Sequence, residues 1–512
     1  CLCSLNQDYF IKLSPYYKIE TIKDSQLHTD EFLSAFQRKV PLPLGTIPDI
    51  SIWLPSLDII GFQLNPENFQ QLYQILILSS QLKLFLTKTN FALWHNHGQN
   101  LINSKSAQSR IKKVFDDSFE IKNNASPELK KLIRSASNTQ ESIKKTMQDI
   151  FMRAKEENWL GGDQIVLRNG RSVLPLKASQ KRKIKGVIQD QSSTGQTSFI
   201  EPIEIIELNN QLTELQFKIL EEKQHILREL TAFFHPISSE IMGSFNILKF
   251  IDLHFTIAKL AHHLKAIRPK ITSDGQINIK KAVNPLFTLA GKKSVALNLE
   301  LNDENILLLS GPNAGGKTVI LKSLGLYSIM AQCGLFIPAL KVQLPLFTRF
   351  MSDIGDGQSI ENDLSTFSSH IQNLAKIIDS AHEFSLILLD ELGTGTDPDA
   401  RAALSQAILE SLLKKKSLVV STTHLGSLKA WAADNDGILN GGMIFDSDAM
   451  VPTYELITGT PGASYALEIS KRMGLSDDII NRSKELLGDG SVNLENILSK
   501  MEKDHISAES LK

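Results

Sequence analysis

Residues 311–318 read Gly-Pro-Asn-Ala-Gly-Gly-Lys-Thr, a complete G-x-x-x-x-G-K-[ST] phosphate-binding loop, and this motif constrains the fold more than any other feature. An apolar run, 306–310, leads into the loop as a buried strand would, and residues 318–332 have helical spacing. A loop between a strand and a helix turns backbone N–H groups and the positive helix end toward phosphate oxygens. The sequence therefore predicts a nucleotide site in an α/β domain.

Each part of the loop has an expected role. Lys317 is predicted to reach the β- and γ-phosphates, and Thr318 to place its hydroxyl on Mg²⁺. The remaining residues are expected to wrap the phosphates with their backbone: Gly311, Pro312, Asn313, Ala314, Gly315 and Gly316.

Two further strands are predicted to end beside the loop. The apolar run 385–389 is followed by Asp390, expected to order the metal, and Glu391, expected to polarise the attacking water. The run 417–421 ends just before His424, which we interpret as a γ-phosphate sensor. The predicted catalytic residues are thus Glu391, His424 and Lys317. The chain has no Asn-Lys-x-Asp guanine-reading motif, which favours ATP with Mg²⁺ as the ligand.

Bulk properties narrow the class of protein. A chain of 512 residues is long enough for two to four domains, and a net charge of −1 argues against a generally basic nucleic-acid binder. Three cysteines give neither a disulfide framework nor a zinc site, which fits a reducing cytosol. The longest uncharged stretch, 323–340, is interrupted by Gly, Gln and Pro. We therefore expect a cytoplasmic protein with no membrane partner.

The pattern of apolar, polar and turn-forming residues divides the chain into five parts. The fold class predicted from them is multidomain α/β plus α: a P-loop ATPase domain, of the ABC type as the resemblance given below implies, joined to a long helical lever, with a small β-rich insert. The predicted boundaries are a helical core or lever over 1–160, a clamp-like insert over 161–201, a returning helical arm over 202–272, the ATPase domain over 273–482, and a helical tail over 483–512 that begins an extension.

The β-rich insert has a hairpin signal and a basic run. Asn169-Gly170 separates two short apolar runs, as in a two-residue hairpin, and five of the nine residues 177–185 are basic. Such a run is often only a solvated face. In a small sheet beside long helices it also fits a phosphate-backbone contact. The candidate nucleic-acid residues are Lys177, Lys181, Arg182, Lys183 and Lys185.

A long amphipathic helix is predicted after Pro202, with apolar residues at three- and four-residue spacing over 205–226 and only Glu222 breaking the seam. This pattern is typical of a coiled-coil-like arm. A nucleotide site joined to such an arm suggests that the ATP state moves the arm.

Between the loop and the Asp390 strand lies the Ser-rich segment 364–370, with Ser365 expected to cap the helix that follows. The motifs GPNAGGKT, DIGDGQS, LSTFSSH, LLDELGTGTDP and STTH together resemble the MutS family, and most closely its type-two branch, which lacks the mismatch-reading domains. The stretches RNGRSVLPLKA, SSTGQTSFIEP, PTYEL and GTPGASYALEIS extend the resemblance over roughly residues 45–490.

The resemblance implies a homodimer with composite ATP sites, in which Ser365 contacts the nucleotide of the partner subunit. It also implies action on double-stranded or branched DNA with suppression of recombination, or in some relatives binding to stalled ribosomes through rRNA. A third hypothesis is a nucleotide-dependent structural dimer that binds only protein.

Some features depart from the family pattern. The family's nuclease domain does not occur in these 512 residues, so no nuclease activity is expected of this chain. The absence of a Phe-x-Glu wedge argues against mismatch repair proper. Val283-Asn284-Pro285 stands where many relatives have Arg-His-Pro.

Overall fold

The computed structural model describes residues 1–59, 61–88, 91–312, 315–355, 363–392, 397–446, 451–463, 465–487 and 500. The chain divides into two compact units. The first contains residues 1, 7–41 and 251–512, and the second contains residues 2–6 and 42–250. Both α-helices and β-sheets are present, so the predicted mixed α/β class is confirmed.

The α-helices are α1 Ser4–Ile11, α2 Ile19–Gln37, α3 Pro66–Lys88, α4 Ala92–Gln99, α5 Lys105–Val114, α6 Pro127–Glu156, α7 Ile203–Phe234, α8 Ser238–Leu264, α9 Pro285–Leu289, α10 Lys317–Gln332, α11 Asp363–Ser380, α12 Pro398–Lys414, α13 Gly426–Ala433, α14 Ala466–Arg472 and α15 Asp477–Leu487. Short 3₁₀ turns lie at Leu54–Asp58, Ala178–Gln180 and His235–Ile237.

The strands are β1 Val166–Arg168, β2 Arg171–Lys177, β3 Gly186–Gln191, β4 Thr197–Pro202, β5 Lys270–Thr272, β6 Ile277–Ala282, β7 Leu297–Leu301, β8 Ile306–Ser310, β9 Lys341–Pro345, β10 Arg349–Asp353, β11 Ser385–Leu389, β12 Leu418–Thr422, β13 Ile438–Asp446 and β14 Val451–Thr458.

The first unit is built on a six-stranded sheet with the strand order β10-β11-β12-β8-β13-β14. All neighbours in it pair in parallel except β13 and β14. Strands β8, β11 and β12 are buried along their whole length, because helices cover both faces of a parallel sheet. Their carboxyl ends therefore meet at one edge, which is where ligands bind in open α/β sheets.

Side chains of these strands alternate between two cores. Leu307 and Leu309 face the cluster that includes residues of α10, whereas Ile306 and Leu308 face the cluster that includes residues of α11 and α12. This alternation is the period-two geometry of a strand. A second, four-stranded sheet of the same unit has the order β5-β9-β6-β7.

The second unit holds a four-stranded antiparallel sheet with the order β1-β2-β4-β3. The predicted hairpin is confirmed, because Arg168 pairs with Arg171 across Asn169 and Gly170, both of which have positive φ. Residues of α6, of this sheet and of the first turn of α7 share one apolar cluster, which includes Ile143, Met147, Leu174 and Ile205.

The seam-breaking Glu222 of α7 has a structural partner. Its Oε1 accepts a hydrogen bond of 2.6 Å from Ser126 Oγ, and Ser126 in turn caps the first turn of α6 by accepting from the Leu129 N–H. The carboxylate also lies near the positive end of the α6 dipole.

The expectation that Ser365 caps a helix was wrong, because Ser365 is the third residue of that helix. Helix α11 begins at Asp363, so Ser365 lies inside its first turn, because Asp363 and Leu364 already have helical backbone. Between Ile203 and Leu264 one window is apolar enough to cross a membrane by length and composition alone, and half of that window is buried. A core helix of a globular protein passes the same test.

Candidate nucleotide site

The phosphate loop leaves β8 at Ser310 and enters α10 at Lys317. Gly311 and Gly316 have φ values of 132° and 98°, a backbone conformation that residues with a Cβ rarely adopt. A Cβ on Gly311 would also lie 2.9 Å from Cβ of Met443. The chain thus needs glycine at both ends of the loop, and we call the described residues 311–312 and 315–316 the cradle. Asn313 and Ala314 lie outside the described residues.

Lys317 is folded back onto its own loop. Its Nζ donates to the carbonyl oxygens of Gly311 and Pro312, both at 2.9 Å, and the residue is only 6% exposed. Burial lowers the pKa of Lys317 to about 8, although the charges of Glu391 and Asp390 oppose that shift. An ammonium buried in this way lacks a full set of acceptors, and an anion in the cradle would supply them.

Two hydroxyls fix the Asp390 carboxylate directly after β11. Thr318 Oγ1 donates to Asp390 Oδ2 at 2.8 Å, and Thr422 Oγ1 donates to Asp390 Oδ1 at 2.6 Å. Thr422 Oγ1 itself accepts from the Glu391 N–H at 2.9 Å. The Thr318 hydroxyl and the Asp390 carboxylate are the hard oxygen donors that Mg²⁺ prefers, so the donor set fits this ion. Thr422 belongs to the STTH motif, but sequence reasoning assigned it no role.

Glu391 and His424 form a direct pair. His424 Nε2 lies 2.6 Å from Glu391 Oε1, and Glu391 has a φ of +52°, the left-handed region that strains a residue with a Cβ. Burial and then the charge of Lys317 lower the pKa of His424, while contact with Glu391 raises it. The net direction is downward, which favours a neutral imidazole that donates Nε2–H to the carboxylate.

Arg401 is a further neighbour of Glu391 that the sequence did not reveal. Its Nη2 lies 3.9 Å from Glu391 Oε2, and its Nε donates to the Leu392 carbonyl at 2.7 Å. Arg401 comes from α12, four residues into that helix, and no local motif singles it out. The Glu391 side chain therefore has a neighbour on each of its two oxygens.

A cavity of about 360 Å³ opens beside the loop. Its walls include Gly316 and Val319 of the loop and α10, with Phe287, Val295 and Tyr454 opposite. Tyr454 is half exposed, has a φ of +63°, and would contact a Cβ on Gly316 at 3.2 Å. The motif PTYEL contains Tyr454, but its role could not be inferred from the sequence because its contact with Gly316 joins distant parts of the chain.

Asn284, which departs from the family pattern, also borders this cavity. Its Oδ1 accepts from the Leu286 N–H at 3.0 Å and so caps α9, and its Nδ2 donates to Ser323 Oγ at 2.8 Å. The departure from the family pattern therefore ties α9 to α10.

The other predicted residues lie elsewhere. Ser365 is in the first turn of α11, and its side chain lies outside the described residues. In the second unit, Lys177 Nζ donates to the carbonyl and side-chain oxygens of Asn158 at 3.1 and 2.8 Å. The other members of the basic run are exposed: Lys181, Arg182, Lys183 and Lys185.

A phosphate loop, a strand-end Asp-Glu pair and a strand-end His at one edge of a parallel sheet define a nucleotide-binding domain of the P-loop class. The family model for MutS domain V matches residues 307–489, which contain all of these elements. The chain belongs to the MutS family, in its type-two branch, and MutS-family proteins are ATPases.

Relatives extend the likeness over nearly the whole chain. The chain is 38% identical to "Endonuclease MutS2" of Alkaliphilus oremlandii (strain OhILAs) over 99% of its own length and 65% of that protein. It is 37% identical to "Putative endonuclease MutS2" of Bacillus subtilis (strain 168) over 94% of its length and 62% of that protein. It thus spans slightly less than two thirds of these curated relatives.

Proposed function

We propose that this chain binds ATP with Mg²⁺ and hydrolyses it to ADP and phosphate. The observation that carries the proposal is the cluster at the edge of the sheet, where Thr318, Asp390, Thr422, Glu391 and His424 are joined by contacts of 2.6–2.9 Å. Side chains from two strand ends and a helix start converge there, beside a glycine-lined cradle for phosphates.

The binding roles follow from these contacts. The backbone from Gly311 to Gly316 holds the phosphates, and Lys317 exchanges its two carbonyl acceptors for phosphate oxygens. Thr318 and Asp390 would hold the magnesium ion, which supplies charge neutralisation on the phosphates when bound. The cavity beside Gly316 accommodates the adenine base against the rings of Phe287 and Tyr454.

The chemical role falls to Glu391. Its carboxylate accepts a proton from the attacking water, and the hydrogen bond from His424 together with nearby Arg401 orients it. His424 is thereby also placed to sense the γ-phosphate. The backbone at Glu391 is strained, and such strain persists only where surrounding contacts hold the residue in place. These contacts therefore keep the carboxylate in one position.

We further propose that two copies form a dimer and that Ser365 of each contacts the nucleotide of the other. In this proposal the segments keep the boundaries predicted above, with helices α6 and α7 as an arm and the small sheet as a clamp. The dimer acts in the cytoplasm on branched or other structured DNA and suppresses recombination. The word endonuclease in the names of the relatives supports a nucleic-acid ligand, and the exposed basic run in the small sheet supports contact with its phosphates.

Nucleotide binding tests the core of the proposal. Lys317→Ala should abolish binding of a non-hydrolysable ATP analogue in a calorimetric titration with Mg²⁺, because the cradle loses its one buried ammonium among the described residues of the loop and α10. Lys322→Ala, an exposed lysine on the same helix, is the matched control and should bind normally. Wild-type affinity in the Lys317 variant would refute the proposed site.

A further inference from the structure

A short segment after β14 packs against the start of the phosphate loop. We call residues 459–463 the strap. Within it, the Gly462 N–H donates to Ser310 Oγ at 2.8 Å. A Cβ on Gly462 would lie 2.9 Å from the Ser310 carbonyl oxygen and 3.0 Å from Cα of Gly311. Only glycine allows this approach, so the position of the loop's first residues depends on where the strap lies.

A buried lysine forms a hydrogen bond with the strap. Lys429 lies on α13, is 5% exposed, and its Nζ donates to the Gly462 carbonyl at 2.8 Å. The helix is anchored in turn, because Asn440 Nδ2 donates to the Lys429 carbonyl at 3.0 Å. An ammonium at such a site costs desolvation that an apolar side chain would avoid. A charge kept there indicates a role other than packing.

Lys429 is also electrostatically close to the nucleotide site. Burial is the main cause that lowers the pKa of Lys317 and of His424. The charge of Lys429 makes a smaller contribution in the same direction to both groups. The same side chain therefore contacts the strap and adds positive potential where a triphosphate would bind.

We infer that Lys429 is a positioning residue for nucleotide binding: it holds Gly462 against Gly311 and so fixes the phosphate loop in the geometry that receives a triphosphate. This inference rests on the proposed function. Lys429 acts through the strap and is not itself a catalytic residue. Glu391 and His424 follow strands β11 and β12 and are fixed by other contacts, so the strap governs binding more than chemistry.

The test is a split between KM and kcat in Lys429→Met, which keeps an unbranched side chain only one atom shorter and removes its charge. We expect the KM for ATP and the Kd for a non-hydrolysable analogue to rise about tenfold or more, with kcat at saturating ATP within about threefold of wild type. Lys414→Met removes an exposed lysine at the end of a neighbouring helix and should change none of these three values.

Gly462→Ala tests the contact between the strap and the loop directly, and it tests the inference if Lys429→Met does not fold. Its Cβ would push the strap from the loop, so it should also raise KM with little change in kcat. Gly426→Ala is its control, because a Cβ there meets no atom within 4 Å. An unchanged KM in both variants, or a fall in kcat alone, would overturn the inference. Wild-type protein that binds no ATP would instead refute the proposed function.

Discussion

The cations proposed to contact phosphates in the two compact units differ in how the fold holds them. Lys317 in the first unit is 6% exposed and fixed by two carbonyl oxygens, whereas Lys181, Arg182 and Lys185 in the second unit are exposed. A buried charge acts through one defined geometry and is weakly screened by salt. Exposed charges act by number and are strongly screened. Single substitutions should therefore be decisive in the nucleotide site, and only grouped ones in the basic run.

The same contrast occurs within the small sheet of the second unit. Glu201 is fully buried and accepts from Arg171 Nη1 at 2.9 and 3.0 Å, from Gln189 Nε2 at 2.6 Å and from Asn209 Nδ2 at 2.7 Å. The Arg168–Asp190 pair of that sheet, at 3.1 Å, is more than 40% exposed on both sides. The two ion pairs contain the same types of residue, an arginine and an acid, and differ in how far they are buried.

The largest effect is expected at Glu391. Glu391→Gln should slow hydrolysis by about 10²–10⁴-fold, because the amide cannot accept the proton of the attacking water. ATP binding should persist, since the cradle and Lys317 are unchanged, and the protein should accumulate as an ATP-bound dimer. Single-turnover hydrolysis, equilibrium binding and size-exclusion chromatography measure these three outcomes.

Glu383→Gln is the control for this variant, because Glu383 is an exposed acid just before the other end of β11. It should hydrolyse ATP at the wild-type rate. If Glu391→Gln also does so, Glu391 is not the base, and a fixed position in the nucleotide site does not make a single substitution decisive.

The sequence predicted the strands that carry the candidate nucleotide site well because their signals are local. Residues 306–310, 385–389 and 417–421 are apolar runs that end in recognisable motifs, and each forms a strand within one residue of the prediction. Their alignment at one edge follows from parallel pairing, which the strand–loop–helix pattern implies.

What the sequence did not reveal depends on contacts between distant segments. Arg401 reaches Glu391 from α12, and Tyr454 touches the loop from β14. Lys429 meets Gly462 across 33 residues of chain. Tyr454 and Gly462 lie in stretches that carry the family resemblance, but nothing in the sequence of those stretches indicates a contact with the loop. The binding roles of Ser365 and of the basic run stay predictions, because they concern contacts with other molecules.

A smaller effect is expected in the second unit. Glu201→Ala should lower the free energy of unfolding by about 3–5 kcal/mol, because it leaves Arg171 and two amide donors without their buried acceptor. Asp190→Ala removes the exposed partner of Arg168 and should cost about 0–1 kcal/mol. Chemical denaturation followed by circular dichroism compares the two, and equal destabilisation would show that burial does not set the difference.

The smallest effect per residue is expected in the basic run, where the four exposed members are changed together to Glu. Binding to a four-way DNA junction should weaken, and the slope of log K against log salt should flatten by about 0.9 for each phosphate that the protein no longer neutralises. The control reverses the same number of exposed lysines in the first unit and should leave the slope unchanged: Lys322, Lys376, Lys414 and Lys416. Junction binding that survives the change would show that the basic run is only a solvated face. If the protein co-sediments with ribosomes and has no affinity for the junction, the ribosomal hypothesis is favoured.

Lys177 provides the finest version of this comparison. Its ammonium already donates to two oxygens of Asn158, so it is less available to a phosphate than its exposed neighbours. Lys177→Ala should therefore change the salt slope less than Lys181→Ala, although both remove one positive charge from the same run. If the two variants bind the junction with equally reduced affinity, the number of charges alone governs binding, and the fixed position of Lys177 does not matter at this surface.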